Sequence, residues 1–113
     1  MGDSLTVLRE FPQAVREEIG FALYLAQAGG KHSNAKPLKG LGPGILEVVS
    51  DYRGDTYRAV YTVRLRSNVY VLHAFQKKSK RGISTPRPDI ELVRQRLKRA
   101  IELHSQEENS YER

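Results

Sequence analysis

Lys77, Lys78, Lys80 and Arg81 are packed into five consecutive positions, and residues 77–87 hold five Lys or Arg with no acid among them. Cations crowded this closely present uncompensated positive charge that an anionic partner can meet. Arg53, Arg58 and Arg64 lie upstream, and His73 stands between them and the cationic run. Imidazole titrates near neutrality, so His73 is a candidate general base, and Glu47 is a further carboxylate candidate. Each residue also has a plainer reading. Arg58 could be a solvated strand residue, the lysines a loop kept soluble by charge, and His73 a hydrogen-bonded histidine in an apolar strand.

These side chains depend on three strands. The first, over residues 45–51, is rich in β-branched residues, and Arg53-Gly54-Asp55 is a natural turn into the second. There Tyr57, Ala59, Tyr61, Val63 and Leu65 alternate with Arg58, Val60, Thr62, Arg64 and Arg66, so the arginines fall opposite the aromatic and aliphatic set. Ser67-Asn68 turns the chain into a third strand over residues 69–76, giving an antiparallel meander. Tyr57 and Tyr61 could stack on bases, but on the apolar side of their strand they read as core.

Helices frame the strands. Asp3 or Ser4 caps a short helical segment, and Pro12 suits the first turn of a helix over residues 12–28. Val15, Ile19, Ala22, Leu23 and Ala26 form its buried stripe, and Gly29-Gly30 ends it. Residues 31–44 read as a surface loop containing His32, to which no role is given. A last helix over residues 86–104 is expected, capped by Thr85, with Ile90, Val93, Leu97, Ala100 and Ile101 as its apolar stripe. The fold class is therefore α+β: a small antiparallel sheet of three or four strands, two N-terminal helices and one C-terminal helix. Residues 1–105 make one domain, and residues 106–113 a polar, frayed tail.

Composition narrows the function classes. The 113 residues carry a net charge of +6, distributed unevenly: residues 1–51 hold five Lys or Arg against six acids, and residues 52–113 hold 14 against seven. That asymmetry favours nucleic acid, an acidic protein or an anionic surface as partner. Cysteine is absent, which excludes disulfides, thiolate nucleophiles and Cys zinc sites. His32, His73 and His104 stand on three different elements without ligand spacing, so neither a metal nor an organic cofactor is expected. No signal peptide and no membrane-spanning run is visible, which points to the cytoplasm and away from a membrane partner.

Three short motifs are set aside. Gly2-Asp3-Ser4-Leu5 spells a serine-hydrolase signature in a chain too short for that fold. Arg53-Gly54-Asp55 spells an adhesion motif but reads as the hairpin turn. Gly40-Leu41-Gly42-Pro43-Gly44 is not followed by Gly-Lys-Ser/Thr, so it is not a phosphate loop.

Phe11-Pro12, Glu17-Glu18-Ile19-Gly20, Ala22-Leu23-Tyr24, Lys39-Gly40-Leu41-Gly42, Tyr57-Arg58-Ala59-Val60-Tyr61, His73-Ala74-Phe75-Gln76-Lys77-Lys78-Ser79 and Thr85-Pro86 occur in that order. Together, over residues 2–103, they resemble the phage-derived HigB-like toxins of the RelE/ParE toxin–antitoxin superfamily. The resemblance implies a toxin that cuts mRNA in the ribosome, restrained by a cognate helix-turn-helix antitoxin in a hetero-oligomer. It also places functional basic residues at Arg53, Arg58, Lys77 and Lys80. Arg58 and Lys77 would clamp phosphate, Lys80 or Arg81 would contact RNA or act as acid, and Lys78 and Arg64 would add RNA contacts. Relatives carry a strand before the first helix, whereas this chain starts almost at the helix, so the sheet is expected to be short of an edge strand. Two other classes stay open: a ParE-like gyrase inhibitor with no reaction of its own, and a nonenzymatic RNA-binding domain.

Overall fold

In the computed structural model, residues 2–65, 68–77 and 85–111 are described. Two short helices come first, α1 (Ser4–Arg9) and α2 (Gln13–Gln27), then β1 (Ala35–Pro37), β2 (Ile45–Tyr52), β3 (Asp55–Leu65) and β4 (Asn68–Lys77), and finally α3 (Arg87–Tyr111). The strands form one antiparallel sheet in the order β1-β2-β3-β4. The expected α+β class and the meander of β2, β3 and β4 are both present.

The stripe predicted for α2 is the stripe it buries. Val15, Ile19, Ala22 and Ala26 are sealed against Val48, Tyr57, Ala59, Tyr61 and Ala74, with Leu23 partly buried beside them. Phe11, at the turn between α1 and α2, meets the Tyr57 ring edge-on at 4.9 Å. These contacts fill one face of the sheet. On the other face Val93, Leu97 and Ala100 of α3 pack on Ile45, Val60 and Leu72. Both faces of β3 are consequently buried, including Arg58 and Thr62, although strand alternation sets their side apart from the apolar one.

Several details differ from expectation. Residues 35–37, expected within a loop, form β1 at the sheet edge, where Ala35 pairs with Val48; Lys36 and Pro37 are exposed. Proline is tolerated on an edge strand because its missing N–H leaves no central ladder bond unmade. Ile101 is 39% exposed and lies outside the α3 stripe, which stops at Ala100. The helix itself runs on to Tyr111, past His104. Thr85 precedes α3, but its hydroxyl donates to Glu47.

Two backbone details shape the hairpin and the last strand. Arg53 and Gly54 have φ of 50° and 87° between the paired residues Tyr52 and Asp55, which is the two-residue hairpin turn whose twist matches that of the strands. In β4 the register slips, Val60 pairing with His73 and Tyr61 with Val71. Leu72 is the extra residue of this bulge. Its side chain joins the α3 cluster and its carbonyl accepts from Arg96 Nη1 at 2.9 Å.

Candidate functional site

Val60 lies between Glu47 on β2 and His73 on β4 in the strand register, and Arg58 is the next β3 residue on the same side toward the hairpin. The sheet thus brings Glu47, Arg58 and His73 together beneath the start of α3. The Glu47 and Arg58 side chains are 3% and 4% exposed, and Nη1 of Arg58 donates to Oε1 of Glu47 at 3.1 Å. The other carboxylate oxygen, Oε2, accepts from the Thr85 hydroxyl. Both oxygens of a nearly sealed carboxylate are therefore hydrogen-bonded, as burial of a charge requires.

His73 is 8% exposed and its ring stacks on Phe75 at 4.9 Å. Nε2 is 2.7 Å from Oδ1 of Asp89, in the first turn of α3, and Nδ1 is 3.5 Å from Nη1 of Arg96. An ionised carboxylate only accepts and a guanidinium only donates. The arrangement therefore selects the tautomer with its proton on Nε2, and both ring nitrogens face side chains of α3. Arg96 continues the chain of contacts: Nη1 also reaches Oγ of Ser4 at 3.3 Å, and Nη2 donates to Oδ1 of Asp3 at 2.8 Å. The Arg96 bond holds the Asp3 carboxyl below its usual pKa.

The cations proposed from sequence are partly gathered. Arg53 sits at the tip of the β2–β3 hairpin with its guanidinium carbon 5.3 Å from the centre of the Tyr52 ring. Lys77 ends β4 at the same end of the sheet, its backbone paired with Thr56. Arg58 lies one alternation step inward from Thr56. Arg64 is at the opposite end, six residues beyond Arg58 on β3, or about 20 Å along an extended strand. Lys78, Lys80 and Arg81 lie outside the described residues.

Several members of this neighbourhood carry no mark in the sequence. Asp51 and Asp55 line a hollow at the hairpin end with Gly54 and Thr56, and accept hydrogen bonds from Thr56 and Gln76. A linear charge run does not reveal them, because they arrive through the hairpin. Asp3, Asp89 and Arg96 are joined only by tertiary folding. Thr85 reads as a cap from its position, not as a partner of Glu47. A signal does exist for Glu47, a lone carboxylate between Leu46 and Val48-Val49 in an otherwise apolar run. Among the described residues no group of three or more His, Asp or Glu is arranged to hold a metal ion. Among them, too, no helix is long and apolar enough to cross a membrane.

A four-stranded antiparallel sheet, with a helix pair on one face and a single long helix over a polar site on the other, defines a small α+β domain. A family model described as "Phage derived protein Gp49-like (DUF891)" matches residues 6–98, and the chain belongs to that family. The family is associated with RelE/HigB-type toxins. No curated protein and no solved structure matches the chain.

Proposed function

We propose that this Gp49-like chain is the toxin of a type II toxin–antitoxin system, acts in the cytoplasm, and blocks translation by cutting mRNA on the ribosome. The observation that carries the reading is the grouping, at one end of the sheet, of Arg58, the Arg53 hairpin tip and the end of β4 at Lys77, where the run Lys77-Lys78-Ser79-Lys80-Arg81 begins. Cleavage of RNA by its own 2′-hydroxyl needs cations beside the phosphate, a proton acceptor and a proton donor. The 2′-oxygen attacks phosphorus and the bond to the 5′-oxygen breaks, leaving a cyclic phosphate and a 5′-hydroxyl. Lys77 would hold the phosphate, joined by Arg58 only after its guanidinium turns out from Glu47, and Lys80 or Arg81 would protonate the leaving oxygen. Arg53, Lys78 and Arg64 would add contacts to the RNA backbone. His73 could accept the 2′ proton only after Nδ1 turns away from Arg96. The antitoxin, a helix-turn-helix protein, would cover the basic surface until released.

The internal pairing of Glu47 with Arg58, and of His73 with Asp89 and Arg96, favours a second reading. A site whose charges already satisfy one another suits a nonenzymatic RNA-binding module, in which the remaining cations supply affinity and nothing is cut. A ParE-like gyrase inhibitor is the remaining class.

Cell-free translation of a defined mRNA, with RNA ends mapped by primer extension, separates these readings. The nuclease reading expects new ends only when ribosomes are present, and their loss in Lys77→Ala and Lys80→Ala. Intact mRNA bound in a steeply salt-dependent way would move the protein to the binding module. Intact mRNA without binding would leave the gyrase assay to decide.

A further inference from the structure

The outward face of α2 resembles an interface more than a solvated surface. Residues 19–30 contain no charged residue, although the chain as a whole is 28% charged. Phe21 and Tyr24 are 53% and 63% exposed and stack on each other at 6.4 Å, and His32 meets the Phe21 ring edge-on at 5.8 Å. Gly20 lies beside them in the middle of the helix, and a Cβ built there would meet nothing within 4 Å. Internal packing therefore gives no reason for a residue that weakens a helix. A helix apolar on both sides is ordinarily covered on both sides.

We infer that this face pairs with a second copy of the chain, α2 against α2 in antiparallel fashion with Tyr24 on the twofold axis. Charge is the first argument for that occupant. Like-charged chains associate at the least electrostatic cost through a neutral patch, and residues 19–30 form one in a chain of net charge +6. Complementarity is the second. About an axis at Tyr24, Gly20 of one copy comes opposite Ala28 of the other, small against small, which leaves room beside the axis for the exposed Phe21 and Tyr24 rings. Glu17 then arrives at the C-terminal end of the opposing helix, where Lys31 follows the Gly29-Gly30 stop. Glu17 and Lys31 are both exposed, as such a pairing requires. Because α2 packs on the sheet face opposite Glu47 and Arg58, the pairing leaves the polar site of each copy facing away from the axis. It is independent of what that site does.

Sedimentation of the full chain over a range of concentrations tests the inference, with circular dichroism checking the fold of every variant. The wild-type chain should show a monomer–dimer equilibrium. Tyr24→Arg, which sets two cations together on the axis, should raise the dimer Kd by about tenfold or more. Glu17→Lys should weaken the dimer, and adding Lys31→Glu should restore it. A chain that stays monomeric at every concentration, or a dimer indifferent to Tyr24→Arg, would overturn the interface. A dimer that the Glu17→Lys and Lys31→Glu pair does not weaken and then restore would overturn the antiparallel register.

Discussion

Arg58 donates to Glu47 across 3.1 Å from a diagonal position in the β2–β3 register, and each side chain is almost fully enclosed. A pair of this kind is costly to break and cheap to replace. Arg58→Ala leaves a buried carboxylate without its cation and should lower stability by about 3–5 kcal/mol in urea unfolding. Glu47→Leu combined with Arg58→Met should recover most of that loss. Failure of the double variant to recover would mean that the pair stabilises the fold through more than mutual neutralisation. It follows that lost activity in Arg58→Ala alone would not locate the chemistry, which is why substitutions at Lys77 and Lys80 make the cleaner test.

Arg96 ties α3 to β4 at Leu72 and to the N-terminal segment at Ser4 and Asp3. Arg96→Leu should cost about 1.5–3 kcal/mol, the range for hydrogen bonds to charged groups, and should speed amide exchange in α1 before α2. Unchanged α1 protection would sink that account.

The Asp3 contact has a pH signature of definite sign. Its carboxyl is lowered from the ordinary value of 3.8, chiefly by the hydrogen bond from Arg96. Its contribution is thus fully present above that ordinary value and is lost as the pH falls through the lowered one. Wild type should melt slightly above Asp3→Asn at neutral pH and converge with it in strong acid. The gap should be small, because the Asp3 side chain is 64% exposed.

Tyr61 is fully buried, and its hydroxyl has no hydrogen-bond partner among the described residues. Burial also raises its pKa. Tyr61→Phe removes the stranded group and keeps the ring, so it should be neutral or stabilising, with the gain bounded by about 1–3 kcal/mol. A clear loss of stability would reveal a partner for that hydroxyl.

Arg53 occupies a left-handed position that costs most L-residues about 1–2 kcal/mol and that asparagine fills readily. Arg53→Asn should therefore raise the melting temperature. If the tip touches RNA, the same variant should bind RNA more weakly and with a shallower salt slope. A more stable variant with undiminished RNA binding would make Arg53 a turn residue only.

Most of the architecture can be read from periodicity. The α2 stripe and the Arg53-Gly54 turn rest on local rules, and the structure obeys them. What escapes depends on contacts between distant segments. β1 is three residues long with a proline, too short for alternation to register. Strand alternation assigns Arg58 to the correct side, but only the docking of α3 makes that side interior. Asp3 and Arg96 are 93 positions apart, and neither carries a local mark of the other. The polar neighbourhood of Glu47 is therefore legible as residues and illegible as a network.

The bracket between Asp3 and Arg96 also sets an order of events during synthesis. Its two halves are 93 positions apart, and at about 5–20 residues per second the second follows the first by several seconds or more. Until then Ser4 and Leu72 lack the guanidinium that joins them. Of the anchors of α1, the tie to α3 is thus the last to become available, later than the packing of Val7 and Leu8 against the α2 side of the core.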